Sequence, residues 1–290
     1  MPCAAPIRAY KSATGRLVFY KSTDWQYTVE PYTGLQVPCG TCILCREEQA
    51  RQAAIRIAHE ATCHERNSFV TLTYNDANLP TYGSLDYRHL TLFQKRLRKS
   101  VGAFRYYAVG EYGDKSLRPH YHMCIFGHDF AAGRIITRMS PHMLWTQEQI
   151  TRCWGMGRVE VGALTFETAR YTASYVTKKL RSKQRYVRID ETTGELVTVE
   201  QPRAFMSDNL GKDWWIQYGS QLEHNDYIII NGQKQKPPKA YDRWLGEIKP
   251  RAMEKIKSKR EEKAKPTSKD QNRARARSAH ARVKRKSKSV

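Results

Sequence analysis

Between Phe104 and Phe126 two strand-forming stretches, 104–112 and 119–126, flank a link of only six residues, Gly113-Asp-Lys-Ser-Leu-Arg118. So short a link joins antiparallel neighbours, because parallel strands need a crossover of a dozen or more residues. The flanking segments must fit that hairpin. Ser68-Phe-Val-Thr-Leu-Thr-Tyr74 reads as a strand ended by Asn75-Asp76 and Pro80. Asp86 can cap a helix running to about Ser100, with Leu90, Phe93, Leu97 and Val101 on one face and Lys95, Arg96, Arg98 and Lys99 on the other. A helix over 147–154, a strand over 158–164 and a helix over 166–180 follow. The order β, α, β, β, α, β, α predicts an α+β fold, a central antiparallel sheet with helices packed on it.

The flanks are less regular. Residues 1–66 read as an N-terminal arm with a cysteine cluster and a helix over 46–65, where Ala50, Ala54, Ile57 and Ala61 recur at helical spacing. Residues 67–185 form the core. Residues 186–248 read as an extension with a hairpin turning at Asn231-Gly232. Residues 249–290 read as a basic tail without fixed structure of its own, with a helix over 253–264 that forms on a partner.

Charge narrows the partner. The 290 residues carry 50 Lys and Arg against 28 Asp and Glu, a net +22. Between Arg251 and Val290 stand 16 basic and 4 acidic residues, which puts +12 in the tail and leaves +10 on the rest. A tail alone could be a generic polyanion binder, but a basic body argues that the folded surface meets phosphates as well. No apolar run approaches a membrane span, and Pro2, Pro6, Arg8, Lys11 and Arg16 break any secretory signal, so a cytosolic protein is expected.

Arg118-Pro-His-Tyr-His122 is the sharpest chemical pattern. Alternate strand residues share a face, so His120 and His122 project together as a pair of imidazole ligands while Tyr121, Met123 and Ile125 face the core. Glu111 lies where the hairpin can place it opposite 120 or 122. Two histidines and a carboxylate suit a divalent ion, Mg or Mn, that also binds a phosphate. The bland reading is a pair of surface histidines beside a solvated glutamate.

A second pattern is Tyr171-Thr-Ala-Ser-Tyr175-Val-Thr-Lys178-Lys179. On a helix Tyr171 and Tyr175 share a face one turn apart, with Lys178 and Lys179 on or near it. A phenol attacks phosphorus once the phosphate is polarised, and lysines neutralise the charge that builds up. Core packing is the alternative for such a pair. Finally, Cys39-Gly-Thr-Cys42-Ile-Leu-Cys45 offers three thiolates for a structural zinc, with Cys63, His59, His64 or Cys3 as the fourth ligand; an iron–sulfur cluster or unligated thiols are the alternatives.

At these residues the chain resembles the HUH endonuclease superfamily, and within it the rolling-circle replication initiators of gokushovirus-type microviruses, small single-stranded DNA bacteriophages. The motifs that carry the resemblance are Pro38–Cys45, Phe69–Tyr74, Lys95–Arg98, Gly110–Gly113, Arg118–His122, Tyr171–Lys179 and Pro237–Tyr241, in this order. The resemblance implies the RRM-like HUH core, with His120 and His122 as metal ligands, Glu111 as the acidic ligand and Tyr171 and Tyr175 as nucleophiles. It also implies nicking and joining of single-stranded or supercoiled origin DNA through a 5′-phosphotyrosine, and work alongside a host helicase and polymerase in the cytoplasm of the infected bacterium. A non-enzymatic nucleic-acid packaging protein is the rival of another class; it has no use for Glu111, His120, His122 or the tyrosines.

Overall fold

The computed structural model describes residues 3–11, 17–19, 35–113, 116–179, 186–263 and 268–286, without the side chains of 11, 175–179, 269 and 283–286. It contains two compact units, residues 1–49 with 264–290, and residues 50–263.

In the first unit β1 (Ile7–Lys11) pairs antiparallel with β2 (Leu17–Val18) and β3 (Leu35–Val37). Ile7 stands opposite Val37, so the chain just before β1 meets the chain just after β3. Helix α1 (Ile43–Thr62) begins here and continues into the second unit.

The second unit holds the sheet. In chain order come β4 (Asn67–Tyr74), α2 (Tyr87–Val101), β5 (Arg105–Tyr112), β6 (Pro119–Phe126), β7 (Ile135–Arg138), β8 (Leu144–Thr146), α3 (Glu148–Trp154), β9 (Gly157–Ala163) and α4 (Phe166–Lys179). The later segment adds a β10 (Val187–Ile189) and β11 (Leu196–Thr198) hairpin, then β12 (Ala204–Met206), α5 (Lys212–Tyr218) and α6 (Gln221–Asn225). A β13 (Ile228–Ile230) and β14 (Gln233–Gln235) hairpin follows, then α7 (Lys239–Ile248) and α8 (Pro250–Glu262). Seven strands form one antiparallel sheet in the order β12-β5-β6-β4-β9-β8-β7. The α+β expectation therefore holds, and the sheet extends beyond it: β7 and β8 add one edge, and β12, from the segment read as an extension, adds the other.

Helices cover both faces. Asp86 caps α2 by accepting from the Arg88 N–H, and Leu90, Phe93 and Leu97 pack with Val70, Leu72, Met123 and Trp154 into the larger core. Each such side chain contributes about 1.5–3 kcal/mol on burial. The opposite face packs against Ala54 and Ile57 of α1 and Ala169 and Ala173 of α4. A third cluster, Trp215, Leu222, Ile228, Tyr241, Trp244 and Leu245, organises the C-terminal helices. At the entry to β9 a Cβ on Gly157 would stand 2.3 Å from the Thr73 carbonyl oxygen, so only glycine lets β9 close on β4 there. The β13–β14 turn falls at Asn231 and Gly232, both at positive φ as such a hairpin requires.

The tail departs from expectation in part: the helix read over 253–264 is present, but it packs within the chain rather than waiting for a partner. Residues 250–262 are helical, and Met253 and Ile256 are buried in the third cluster; three residues apart, they share the helix face that meets it. In the first unit α9 (Lys269–Lys286) follows, with Asn272 and Ala279 buried and Arg282 paired to Glu47 at 3.2 Å. No helix of the described residues is long and apolar enough to cross a membrane.

Candidate active site and metal centre

Strand register decides which side chains meet. Glu111 on β5 stands opposite His120 on β6, and Val109 stands opposite His122. On the other flank of β6, Thr73 and Thr71 of β4 stand opposite His120 and His122. Directly paired residues share a face, as do residues two apart. Glu111, His120, His122, Thr71 and Thr73 therefore all project from the face that α4 covers. The neighbours of the histidines do the anchoring from behind: buried Tyr121 donates to the Asp86 carbonyl at 2.6 Å and accepts from the Asp86 N–H at 2.8 Å, tying β6 to the start of α2.

The imidazole of His122 is held on several sides. Its Nε2 donates to Glu111 Oε1 at 2.9 Å, Thr71 Oγ1 lies 3.0 Å from its Nδ1, and the Phe69 ring lies nearly parallel to it at 5.5 Å. Both His122 and Glu111 are buried. The second oxygen of Glu111 is buried without a hydrogen-bond partner, which leaves it open to a cation. His120 donates from Nδ1 to the Arg118 carbonyl at 2.7 Å. Among the described residues only the cysteines discussed below bring three or more ligand atoms within 4.8 Å of one another. Glu111 and His122 are thus in contact, while His120 shares their face with its ring turned toward Arg118.

Tyr171 comes from α4. Its ring sits edge-on to His122 at 6.0 Å and to Phe69 at 6.4 Å, and the residue is 44% exposed. Several other phenols are held from ionising: burial pushes Tyr74, Tyr87, Tyr107, Tyr121 and Tyr241 well above the ordinary tyrosine range. The α4 backbone continues through Tyr175, Lys178 and Lys179, but their side chains lie outside the described residues.

The thiol group lies in the first unit. Cys3, Cys39, Cys42 and Cys45 place their sulfurs within 4.8 Å of one another, and they could hold a metal ion. Cys3 Sγ lies 3.6 Å from Cys39 and 3.8 Å from Cys42, and the N–H groups of Cys39 and Cys42 donate to the sulfurs of Cys3 and Cys39 at 3.3 Å. Burial opposes ionisation of Cys39, but the N–H groups of Cys42 and Thr41 and the Thr41 hydroxyl outweigh it and bring that thiol down to about 6.

Of the four candidates for the fourth ligand, the structure brings Cys3 to the group and not Cys63. Cys63 follows the far end of the 20-residue α1, about 30 Å of helix from the end where Cys42 and Cys45 stand, and its thiol meets the His59 carbonyl at 3.5 Å. His59 stacks on Trp214 with ring centroids 3.5 Å apart, and His64 bonds Glu60. Sequence reasoning passed over Thr71 and Phe69 as functional residues, although strand alternation places 69, 71 and 73 on one face.

The site is thus that of an α+β protein with a histidine, carboxylate and phenol gathered on one face of an antiparallel sheet. Residues 67–180, which build that face, match the family Replication-associated protein ORF2/G2P. The chain is 32% identical over 277 residues to replication-associated protein VP4 of Bdellovibrio phage phiMH2K, covering 89% of this chain and 84% of that one. It is 31% identical over 295 residues to replication-associated protein ORF2 of Spiroplasma virus 4, covering 92% and 88%. With replication-associated protein ORF4 of Chlamydia phage 1 it shares 29% over 232 residues, 74% of this chain and 55% of that one. The chain belongs to this family of replication-associated proteins, with homologues in microviruses. No solved structure matches it.

Proposed function

We propose that the protein is a metal-dependent DNA-nicking and DNA-joining enzyme that starts rolling-circle replication at a viral origin. The observation that carries this reading is the half-exposed ring of Tyr171 packed against His122, itself bonded to Glu111. Glu111, His120 and His122 would hold a divalent ion, Mg or Mn; the donor set and the unpartnered carboxylate oxygen fit one. Bound there, such an ion polarises a phosphate as a Lewis acid.

The rest falls to the chain. The Tyr171 hydroxyl gives up its proton as its oxygen attacks phosphorus, the bond to the 3′ oxygen breaks, and that oxygen takes up a proton and leaves as a hydroxyl, so the exchange neither gains nor loses a proton overall. The 5′ phosphate stays on the tyrosine as an ester. Attack by a 3′ hydroxyl reverses the exchange and joins the strand, and because one ester replaces another no nucleotide cofactor is consumed. Tyr175, one helical turn on, serves as the second nucleophile, and Lys178 and Lys179 meet the phosphoryl charge. Single-stranded or supercoiled origin DNA is the substrate, and the host helicase and polymerase extend the 3′ end in the cytoplasm of the infected bacterium.

Protein mixed with Mn²⁺ and single-stranded origin DNA should give an adduct that survives phenol extraction. Tyr171→Phe with Tyr175→Phe should abolish it. A double variant that still cuts would assign the attack to water. Salt-sensitive retention of DNA with no cleavage by the wild type would make it a packaging protein.

We propose zinc for the four cysteines. Four thiolates at about 2.3 Å around a tetrahedral ion have their sulfurs about 3.8 Å apart, which the observed 3.6 and 3.8 Å approach. An iron–sulfur cluster, whose body must fit between the thiolates, would hold them farther apart.

A further inference from the structure

The segment Phe69–Tyr74 enters the sequence pattern as a strand, yet its alternate residues reach the histidine site. Thr71 stands opposite His122 with Oγ1 3.0 Å from Nδ1, while Nε2 faces Glu111 at 2.9 Å and Phe69 covers one face of the ring. Building on the metal-dependent reading above, we infer that Thr71 is the positioning residue for His122: its hydroxyl fixes the ring and allows the change of tautomer that uptake of an ion requires.

The chemistry of the partners makes the inference specific. An ionised carboxylate only accepts, so in the neutral ring Nε2 carries the proton and donates to Glu111. Nδ1 then holds a lone pair, and the Thr71 hydroxyl donates to it. An ion bound through Nε2 needs the lone pair on that nitrogen, so the proton must sit on Nδ1 and Thr71 Oγ1 must accept. A hydroxyl serves both states by rotating about its C–O bond. A main-chain carbonyl serves only the second, and an amide N–H only the first.

His120 supplies the contrast. Its Nδ1 faces the Arg118 carbonyl at 2.7 Å, which can only accept, so the neutral ring is held with its proton on Nδ1 whether or not an ion is present. The two histidines are therefore presented differently, one preset and one switchable. Thr71 is also well placed to hold its own position. It sits within β4, paired on one side to β6 and on the other to β9, and its branched side chain has few χ1 options.

The test uses the full chain without DNA and Mn²⁺ alone as the probe, with free Mn²⁺ followed by electron paramagnetic resonance. Thr71→Val keeps the shape and suits a strand, so the fold is retained, which far-UV circular dichroism and a melting curve would check. It should weaken Mn²⁺ binding by about 10- to 100-fold, the usual cost of removing a partner behind a metal-bound histidine. Thr71→Ser, which keeps the hydroxyl, should bind like the wild type. In metal-free protein labelled with ¹⁵N-histidine, His122 should carry its proton on Nε2 in both the wild type and Thr71→Val, because Glu111 accepts it there in each, and a proton on Nδ1 in the metal-free wild type would overturn the inference. Val binding Mn²⁺ as tightly as Thr, or Ser failing alongside Val, would overturn the inference. A wild type that binds no Mn²⁺ would instead remove the metal-dependent reading, and this one with it.

Discussion

His59 gives the protein a measurable sensitivity to mild acid. The ring is buried between α1 and the C-terminal helices, stacked on Trp214 and bonded through Nδ1 to the Tyr241 hydroxyl at 2.8 Å. Burial pulls it from 6.5 down to about 3. The folded protein therefore keeps it neutral, while the unfolded chain takes up a proton as pH falls through 6.5. Stability associated with the neutral ring is complete above 6.5 and drains away toward 3. Over that whole range the loss comes to about 5 kcal/mol at 1.36 kcal/mol per pH unit. Carboxylates complicate the lower half, so the useful window is pH 7.5 to 5.0, where His59 alone should cost about 2 kcal/mol. Urea unfolding across that window, for wild type and His59→Asn, measures it; the Asn side-chain oxygen can still accept from Tyr241. The wild type should lose about 2 kcal/mol more than the variant. Parallel pH profiles would refute the idea that burial keeps this ring neutral in the folded protein.

Cys3→Ser should abolish bound zinc in the purified protein while Cys63→Ser leaves the metal content unchanged, both read by elemental analysis. Glu60→Ala should destabilise the second unit by about 1–3 kcal/mol in urea, because it leaves the Gly211 N–H without its buried acceptor and removes the ion pair of Arg105. Phe93→Ala should cost about 3–5 kcal/mol by opening a cavity beneath the sheet, also measured by urea unfolding. Deleting residues 268–290 should flatten the salt dependence of DNA binding, measured by filter retention, and leave nicking of a short oligonucleotide intact.

What could be read from the sequence was what repeats locally. The six-residue link set the β5–β6 pairing, and with it the shared face of Glu111, His120 and His122. Asp86 marked the start of α2, and Asn231-Gly232 marked a turn. What escaped depends on partners distant in the chain. Cys3 is one of four candidates for the fourth ligand, and only the pairing of Ile7 with Val37, which closes a loop of 36 positions, singles it out. Thr71 looked like a residue favoured in strands, since nothing local shows which histidine it faces. Composition misled in the tail: the density of lysine and arginine concealed Met253 and Ile256, two apolar residues sufficient to fasten α8 to Trp244 and Leu245.

The order of the strands also governs when the site comes into being. Glu111 and His120 meet through a turn of six residues, so a growing chain can bring them together almost at once. Thr71 lies 51 positions from His122 and Tyr171 lies 49 beyond it, and each must close a long loop against chain entropy before it arrives. A half-made copy that stops before α4 would own the histidines without the phenol beside them, and a proteolysed copy that has lost β4 would own them without the Thr71 hydroxyl. On the proposed reading, competence to cut DNA would be among the last properties such a chain acquires on folding and among the first it loses when cut.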